Sequence, residues 1–466
     1  MRDDYDLAII GAGPAGEKAA IKAAWHGKRV VVVDRDAAAG SACVRGGIPS
    51  KILREIALCY SGSRRHLEDV YGAPRPASMQ AMLRRVRGVC NERVGRVRRS
   101  LEEHAVELRV GAARFEDPHT LAIAHVDGGT STLRAGVILI ATGSRPVRPR
   151  AFPFDGIHVH TSDTILDVPD VPRTFVVIGG GAIGAEYASI FAALGSHVAL
   201  VEERARIVDF ADDEVSDRLM EAFRAAGIAL HLGERVERCE LAAPGRVRVE
   251  TSSTTLEAEQ LLFSGGRRAN TRELGLESIG AVLDERGSPR VDAHGRLDGF
   301  DHLYAAGDVV GFPQLASIAM EQGRAAVAHA FDLGELAIHG GVPHALYTLP
   351  SCAAVGATER ELAAAGKPYL VGRAGYADRD RGHIMGDPHG MLKLLADPAS
   401  RRVLGVHIVG EHAEELVHVG QACMHFEGTI DYFLRAVLNF PTLSELYKRA
   451  AYDVLSQLEP GRAPPE

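Results

Sequence analysis

DLAIIGAGPAGEKAAIKAAWHGKRVVVVDRD at residues 6–36 and TFVVIGGGAIGAEYASIFAALGSHVALVEER at residues 174–204 are one unit written twice. Each runs from a short β-branched stretch into G-x-G-x-x-G, then an alanine-rich helical pattern, then a second β-branched stretch that ends in an acid. Gly11 to Asp34 and Gly179 to Glu202 both span 23 residues, and the copies are offset by 168. This is a complete β-α-β dinucleotide fingerprint in duplicate. Gly11 and Gly179 make the tight turn, Gly13 and Gly181 admit a diphosphate, and Gly16 and Gly184 let helix pack on strand. The diphosphate is expected at the helix N-terminus, beside Pro14 and Ala15 in the first copy, where free amides and the dipole favour an anion. Asp34 and Glu202 are placed to accept from ribose hydroxyls. The prediction is an α/β protein with two Rossmann-like dinucleotide-binding domains.

Composition sets the frame for these units. The 466 residues leave room for about three domains. A net charge of −8 gives no general attraction for nucleic acid, and no nucleic-acid partner is expected. No apolar run approaches the ~20 residues a membrane helix needs, and the acidic start Met1–Asp6 does not read as a secretory leader. The six cysteines (43, 59, 90, 239, 352 and 423) show no C-x-x-C and no zinc spacing. Scattered thiols suit a reducing compartment, so a cytoplasmic location is expected. Histidines 344, 383, 389, 407, 412, 418 and 425 make no metal-ligand pattern, and no metal is expected.

Beyond the fingerprints, the boundaries fall at turn-rich junctions. We expect a first FAD-domain segment at 1–150, a nicotinamide-nucleotide domain at 151–270, a return segment at 271–338, and an α+β dimerisation domain at 339–466. Residues 76–107 read as one long helix. Its seven arginines, from Arg84 to Arg99, form a solvated face, and Val86, Val89, Val94, Val97 and Leu101 form the buried one.

The ordered motifs GAGPAG, IPSK, ATGSRP, GGGAIGAE, AAGDV, GVHIVGEHAEEL and NFPTLSELYKRAA run over essentially the whole chain. With them the chain resembles the FAD-dependent pyridine-nucleotide oxidoreductases of the glutathione reductase and dihydrolipoamide dehydrogenase type. That resemblance implies FAD in the first fingerprint and NAD or NADP in the second. The disulfide-using members carry C-x-x-x-x-C ending directly before I-P-S-K; here Ala42 and Gly47 hold those positions, with Cys43 one residue out of register. Their C-terminal histidine precedes a proline; here Phe440 precedes Pro441, and Glu445, which orients that histidine in the family, has no imidazole to orient. A thiol–disulfide enzyme needs a thiolate and a proton relay, whereas hydride exchange between nicotinamide and flavin needs neither. The combination is similar to that of the soluble pyridine nucleotide transhydrogenases.

The resemblance also assigns residues. Lys51 matches the lysine near flavin N5, and Glu186 the acid that pairs with it. Ile183 matches the residue covering the nicotinamide face of the flavin, or else simply packs in its helix. Ala141, Thr142 and Gly143 match the turn at the FAD diphosphate, and Gly307 and Asp308 the hold on the ribityl chain. Leu315 and Ala316 begin a helix facing flavin N1 and O2. Arg35, Ala113, Gly266 and Phe440 complete the set of cofactor-contacting positions. A homodimer is implied, with the C-terminal segment reaching the partner's flavin site.

Three matters stay open in the sequence, one being whether Cys43, a single thiol near the flavin, is a redox centre or inert. Glu202 favours NAD, while Arg204 and Arg206 follow closely and suit the 2′-phosphate of NADP. A diaphorase that passes electrons to a quinone lacks the same thiols and is the competing activity. A non-catalytic flavin-binding subunit is the third reading, against which stand Lys51, Glu186 and both intact fingerprints.

Overall fold

The computed structural model describes residues 4–36, 38–66, 78–242, 245–334 and 341–459. The chain forms two compact units. The first gathers Met1–Ile52, Ala81–Val147 and Gly266–Ala337; the second gathers Leu53–Gln80, Arg148–Gly265 and Ile338–Glu466.

The first unit is built on a seven-stranded sheet. Strands Glu107–Val110, Val30–Asp34, Tyr5–Ile10 and Thr130–Ile140 lie side by side, and Leu303–Ala305 adds parallel to Thr130–Ile140. Leu7 pairs with Val30 and Ile10 with Val33. The apolar runs LAII and VVVV are buried on both faces, as a parallel sheet requires. Leu7, Ile9, Val30 and Val32 face the helices Pro14–Trp25 and Ala316–Ala330. Ala8, Ile10, Val31 and Val33 face a second core with Phe115, Leu121 and Ile123.

The long helix runs over Met79–Glu103, with residues 76 and 77 outside the described residues. It ends earlier than its pattern suggests: Ala105 turns to φ 54° and Glu107–Val110 joins the sheet as a strand. The two faces are those expected. Val86, Val97 and Leu101 are buried, Val89 and Val94 partly so, while Arg84, Arg85, Arg87, Arg96, Arg98 and Arg99 are exposed. Arg93 instead turns inward to the buried carboxylate of Glu17.

The second unit carries the second fingerprint. Its parallel sheet orders strands Ala229–Leu232, His197–Glu202, Thr174–Ile178, Gln260–Phe263 and Val159–His160, with a three-stranded antiparallel sheet over 236–258. The same unit holds an antiparallel C-terminal sheet in the order His344–Leu346, Cys352–Gly356, Val403–Val409, Met391–Ala396 and Leu370–Gly375. Helices Ala413–His425, Ile430–Arg435 and Glu445–Leu458 pack on it through Leu416, Phe433, Tyr447 and Val454. No helix among the described residues is long and apolar enough to cross a membrane.

Candidate functional site: two dinucleotide cradles

The two fingerprints fold alike. Gly11 sits at φ +107°, and a Cβ there would meet the Ala141 carbonyl oxygen at 2.4 Å. A Cβ on Gly16 would fall 1.9 Å from the Gly11 carbonyl oxygen, and one on Gly184 would fall 1.8 Å from that of Gly179. Glycine is therefore imposed by the backbone contact between strand end and helix start. The terminal acids repeat as well. Asp34 Oδ2 accepts from the Ala12 amide and Glu202 Oε2 from the Gly180 amide, each at 2.6 Å. Their other oxygens accept from the amides of Asp36 and Arg204, each at 2.9 Å. Each acid thus braces its own glycine turn. A carboxylate has about four lone-pair sites, so each retains acceptor capacity for ribose hydroxyls.

The cradles fit a dinucleotide diphosphate. Gly13 and Gly181 immediately precede the helices that begin at Pro14 and Ala182. The place of a Cβ on Gly181 is open space, and on Gly13 the nearest heavy atom lies 3.9 Å away. In the first unit the turn Ala141–Gly143 faces this region, and Thr142 Oγ1 is buried with no hydrogen-bond partner among the described residues. A buried hydroxyl left open is what a bound polar group would satisfy.

The turn is itself held from outside the motif. Asn270 Nδ2 donates to the Thr142 carbonyl at 3.0 Å, and the Asn270 amide donates to the Gly143 carbonyl at 3.0 Å. Ser144 Oγ donates to Asp308 Oδ2 at 3.0 Å and accepts from Arg267 Nε at 2.7 Å. Ser144, Arg267 and Asn270 were not among the residues the sequence singled out. They lie in GSRP and GGRRAN, beside Gly143 and Gly266, and adjacency is the only signal that pointed to them. The Gly307 amide donates to Gln322 Oε1 at 2.8 Å. Leu315 is the N-cap of the helix Ala316–Ala330, as expected. Ala113 is buried on the strand Ala112–Asp117, and Arg35 is exposed beside Glu273.

Lys51 lies on the helix Gly47–His66, half-buried, with Nζ near Ser50 Oγ at 3.3 Å. Cys43 is 4% exposed, and burial pushes its thiol up against the opposing pull of Arg93. In the second unit Glu186 is buried on the fingerprint helix, and its Oε1 accepts from the Tyr347 amide at 3.0 Å. Ser189, one turn on, accepts from the Leu349 amide at 3.1 Å. Segment 347–349 therefore docks on this helix, which the sequence did not reveal. Ile183 is half-buried in the first turn of that helix. Phe440 is 71% exposed, and Glu445 starts the last helix.

Arg204 and Arg206 are not equivalent. Arg206 forks onto Asp217 through Nε at 2.7 Å and Nη2 at 3.1 Å, with Asp213 at 3.6 Å. Arg204 is 66% exposed, and its nearest acid is Asp209 at 3.9 Å.

Comparison with known proteins follows this geometry. Residues 5–323 match the model of the pyridine nucleotide-disulphide oxidoreductases, and residues 342–451 match the dimerisation domain of the same proteins. The chain belongs to the pyridine nucleotide-disulphide oxidoreductase family. A soluble pyridine nucleotide transhydrogenase of Mycobacterium bovis is 42% identical over 464 residues, with 98% of each chain covered. One from Chromohalobacter salexigens is 40% identical over 461 residues, covering 98% of this chain and 99% of its own. Among solved structures, LpdA of Mycobacterium tuberculosis superposes with a TM-score of 0.88 at 27% identity, over 96% of this chain and 98% of its own. FAD and a nicotinamide dinucleotide are the cofactors of the family, in agreement with the two fingerprints.

Proposed function

We propose that this protein is an FAD-dependent transhydrogenase, moving hydride between NAD(P)H and NAD(P)+ without a redox-active disulfide. The observation that carries this reading is the thiol position itself. Gly47 opens its helix where the second cysteine of a dithiol would stand, and the neighbouring Cys43 is buried with its thiol pushed up. Phe440 replaces the histidine that would serve such a thiol. The identity to named transhydrogenases over nearly the full length supports the same conclusion.

Bound FAD would supply the hydride-carrying chemistry between one nicotinamide nucleotide and the next. The chain's own residues bind and align. The amides ahead of Pro14 and Ala182 receive the two diphosphates, and Asp34 and Glu202 hold the riboses. The N-terminal amides of Ala316–Ala330 would help hold the flavin and favour negative charge on it. Asp308, oriented by Ser144, would hold the ribityl chain. Lys51 is assigned to the flavin in the first unit, and Glu186, on the second fingerprint helix, to the nicotinamide nucleotide. Of the two arginines after Glu202, Arg204 is assigned to the 2′-phosphate of NADP(H), because Arg206 is committed to Asp217. A second copy of the chain, joined through the dimerisation domain, completes the enzyme.

An anaerobic experiment tests the reading. NADPH is expected to reduce the flavin of the purified protein, and added NAD+ to reoxidise it with NADH formed. Reoxidation by a quinone but not by NAD+ would identify a diaphorase instead. Failure of both nucleotides to reduce the flavin would leave a binding subunit.

A further inference from the structure

The segment between Glu202 and the helix Asp213–Ala225 borders the ribose end of the second cradle. It is clamped from two sides. On one side the Val208 amide donates to the Gly180 carbonyl at 2.8 Å, and Ser216 Oγ donates to the Ile207 carbonyl. On the other side the clamps come from the C-terminal part of the same compact unit. Lys393, 2% exposed, places Nζ 2.7 Å from Asp212 Oδ1 and 3.2 Å from Glu214 Oε2, and it also pairs with Glu359. The three carboxylates lie close enough to suit a divalent cation. The ammonium of Lys393 already supplies the positive charge they need, so the cluster is an internal ion network.

Arg360 makes the clamp that bears on nucleotide choice. Its Nη2 donates to the carbonyls of Asp209 and Ala211, the latter at 2.8 Å. Its Nη1 lies 3.6 Å from Asp209 Oδ1, while Arg204 Nε lies 3.9 Å from Asp209 Oδ2. One carboxylate thus stands between two guanidinium groups. We propose that Arg360 is a positioning residue for nucleotide choice: by sharing the charge of Asp209 and pinning its backbone, it keeps Arg204 available to the 2′-phosphate of NADP(H). The inference rests on Arg204 being the phosphate contact. Without Arg360, Asp209 loses one of its cationic neighbours, and the electrostatic preference is for Arg204 at 3.9 Å to close onto it. A phosphate then has to break that pair. NAD(H) lacks the 2′-phosphate and does not meet this competition.

The test uses the FAD-loaded enzyme and two redox-silent probes, 2′,5′-ADP and 5′-AMP, with affinities measured by calorimetry. Arg360→Met is expected to weaken 2′,5′-ADP about three- to fivefold, in keeping with partly exposed ion pairs, and to leave 5′-AMP unchanged. Arg360→Lys, which keeps the charge, is expected to recover most of the loss. Asp209→Asn in the Arg360→Met background is expected to restore 2′,5′-ADP binding, because the competing charge is gone. Equal weakening of both probes, or no rescue by Asp209→Asn, would show a structural role only and overturn the inference. Arg204→Met separates the two layers of the argument. If it weakens 2′,5′-ADP while Arg360→Met does not, the inference fails and the assignment of Arg204 stands. If it leaves 2′,5′-ADP unchanged, both fall together.

Discussion

At the residue scale, the second unit buries charge where packing alone would place apolar groups, and it meets the cost by pairing. Lys393 sits on a central strand directly opposite His407, so both side chains rise from the same face of the sheet. Burial pushes the Asp212 and Glu214 carboxyls up, but hydrogen bonds and the nearby cations win, holding Asp212 down through Lys393 and Glu214 down through Arg373 and Lys393. His407 faces a different balance. Its Nε2 is 2.9 Å from the Ala357 carbonyl, Nδ1 has no partner among the described residues, and burial holds its pKa below the ordinary histidine value of 6.5. Lys393 adds to that depression, while Asp212, the Ala357 hydrogen bond and Glu361 oppose it. The folded pKa thus lies below the unfolded one, so the unfolded chain takes up this proton first. The stability cost is absent above the unfolded pKa and grows as pH falls below it. His407→Gln is expected to flatten the fall in Tm from pH 7 to pH 5 relative to the unmodified protein, measured by differential scanning calorimetry. Parallel curves for the two proteins would show that His407 is not the group responsible.

At the element scale, the fingerprints were legible because each requirement is local. A turn that brings Gly16 against Gly11, or Gly184 against Gly179, leaves no room for a Cβ, and the constraint is written within five residues. The ends of elements were less legible. The helix over Met79–Glu103 carries an apolar stripe that continues to Val106, but the chain leaves it to pair Glu107–Val110 with the sheet, a tertiary preference. The braces were not legible at all. Ser144 meets Asp308 across 164 residues and Lys393 meets Asp212 across 181, and neither pair has a spacing rule. The locality of the fingerprints yields a paired prediction. Gly184→Ala is expected to give a yellow protein whose NAD(P)+ binding is about ten- to a hundredfold weaker, since overpacking costs about 1–3 kcal/mol. Gly16→Ala is expected to lose FAD instead, read as a lowered ratio of flavin to protein absorbance. Loss of flavin from the Gly184 variant would contradict the separate assignment of the two cradles.

At the scale of the whole molecule, what a single chain leaves uncovered points to its assembly. Val437 is 98% exposed and Phe440 is 71% exposed, both within the region matched to the dimerisation domain. The sequence singled out Phe440 through the motif NFPTLSELYKRAA but not Val437, and only the fold reveals how far both side chains face outward. Covering such side chains with a partner contributes about 25 cal/mol for every Å² removed from water, and here they lie in the region matched to the dimerisation domain. The absence of a family thiol and histidine does not remove the need for that partner, since the family resemblance implies that the Phe440 segment reaches the other subunit's flavin site. Val437→Glu places a charge where a self-complementary interface would bury it, on both subunits at once. Light scattering at micromolar protein is therefore expected to shift from dimer mass toward monomer mass. Flavin is expected to stay bound, because both fingerprint cradles lie in other parts of the chain, while NADPH-to-NAD+ transfer falls. A variant that stays dimeric with an unchanged rate would place the interface elsewhere in residues 342–451.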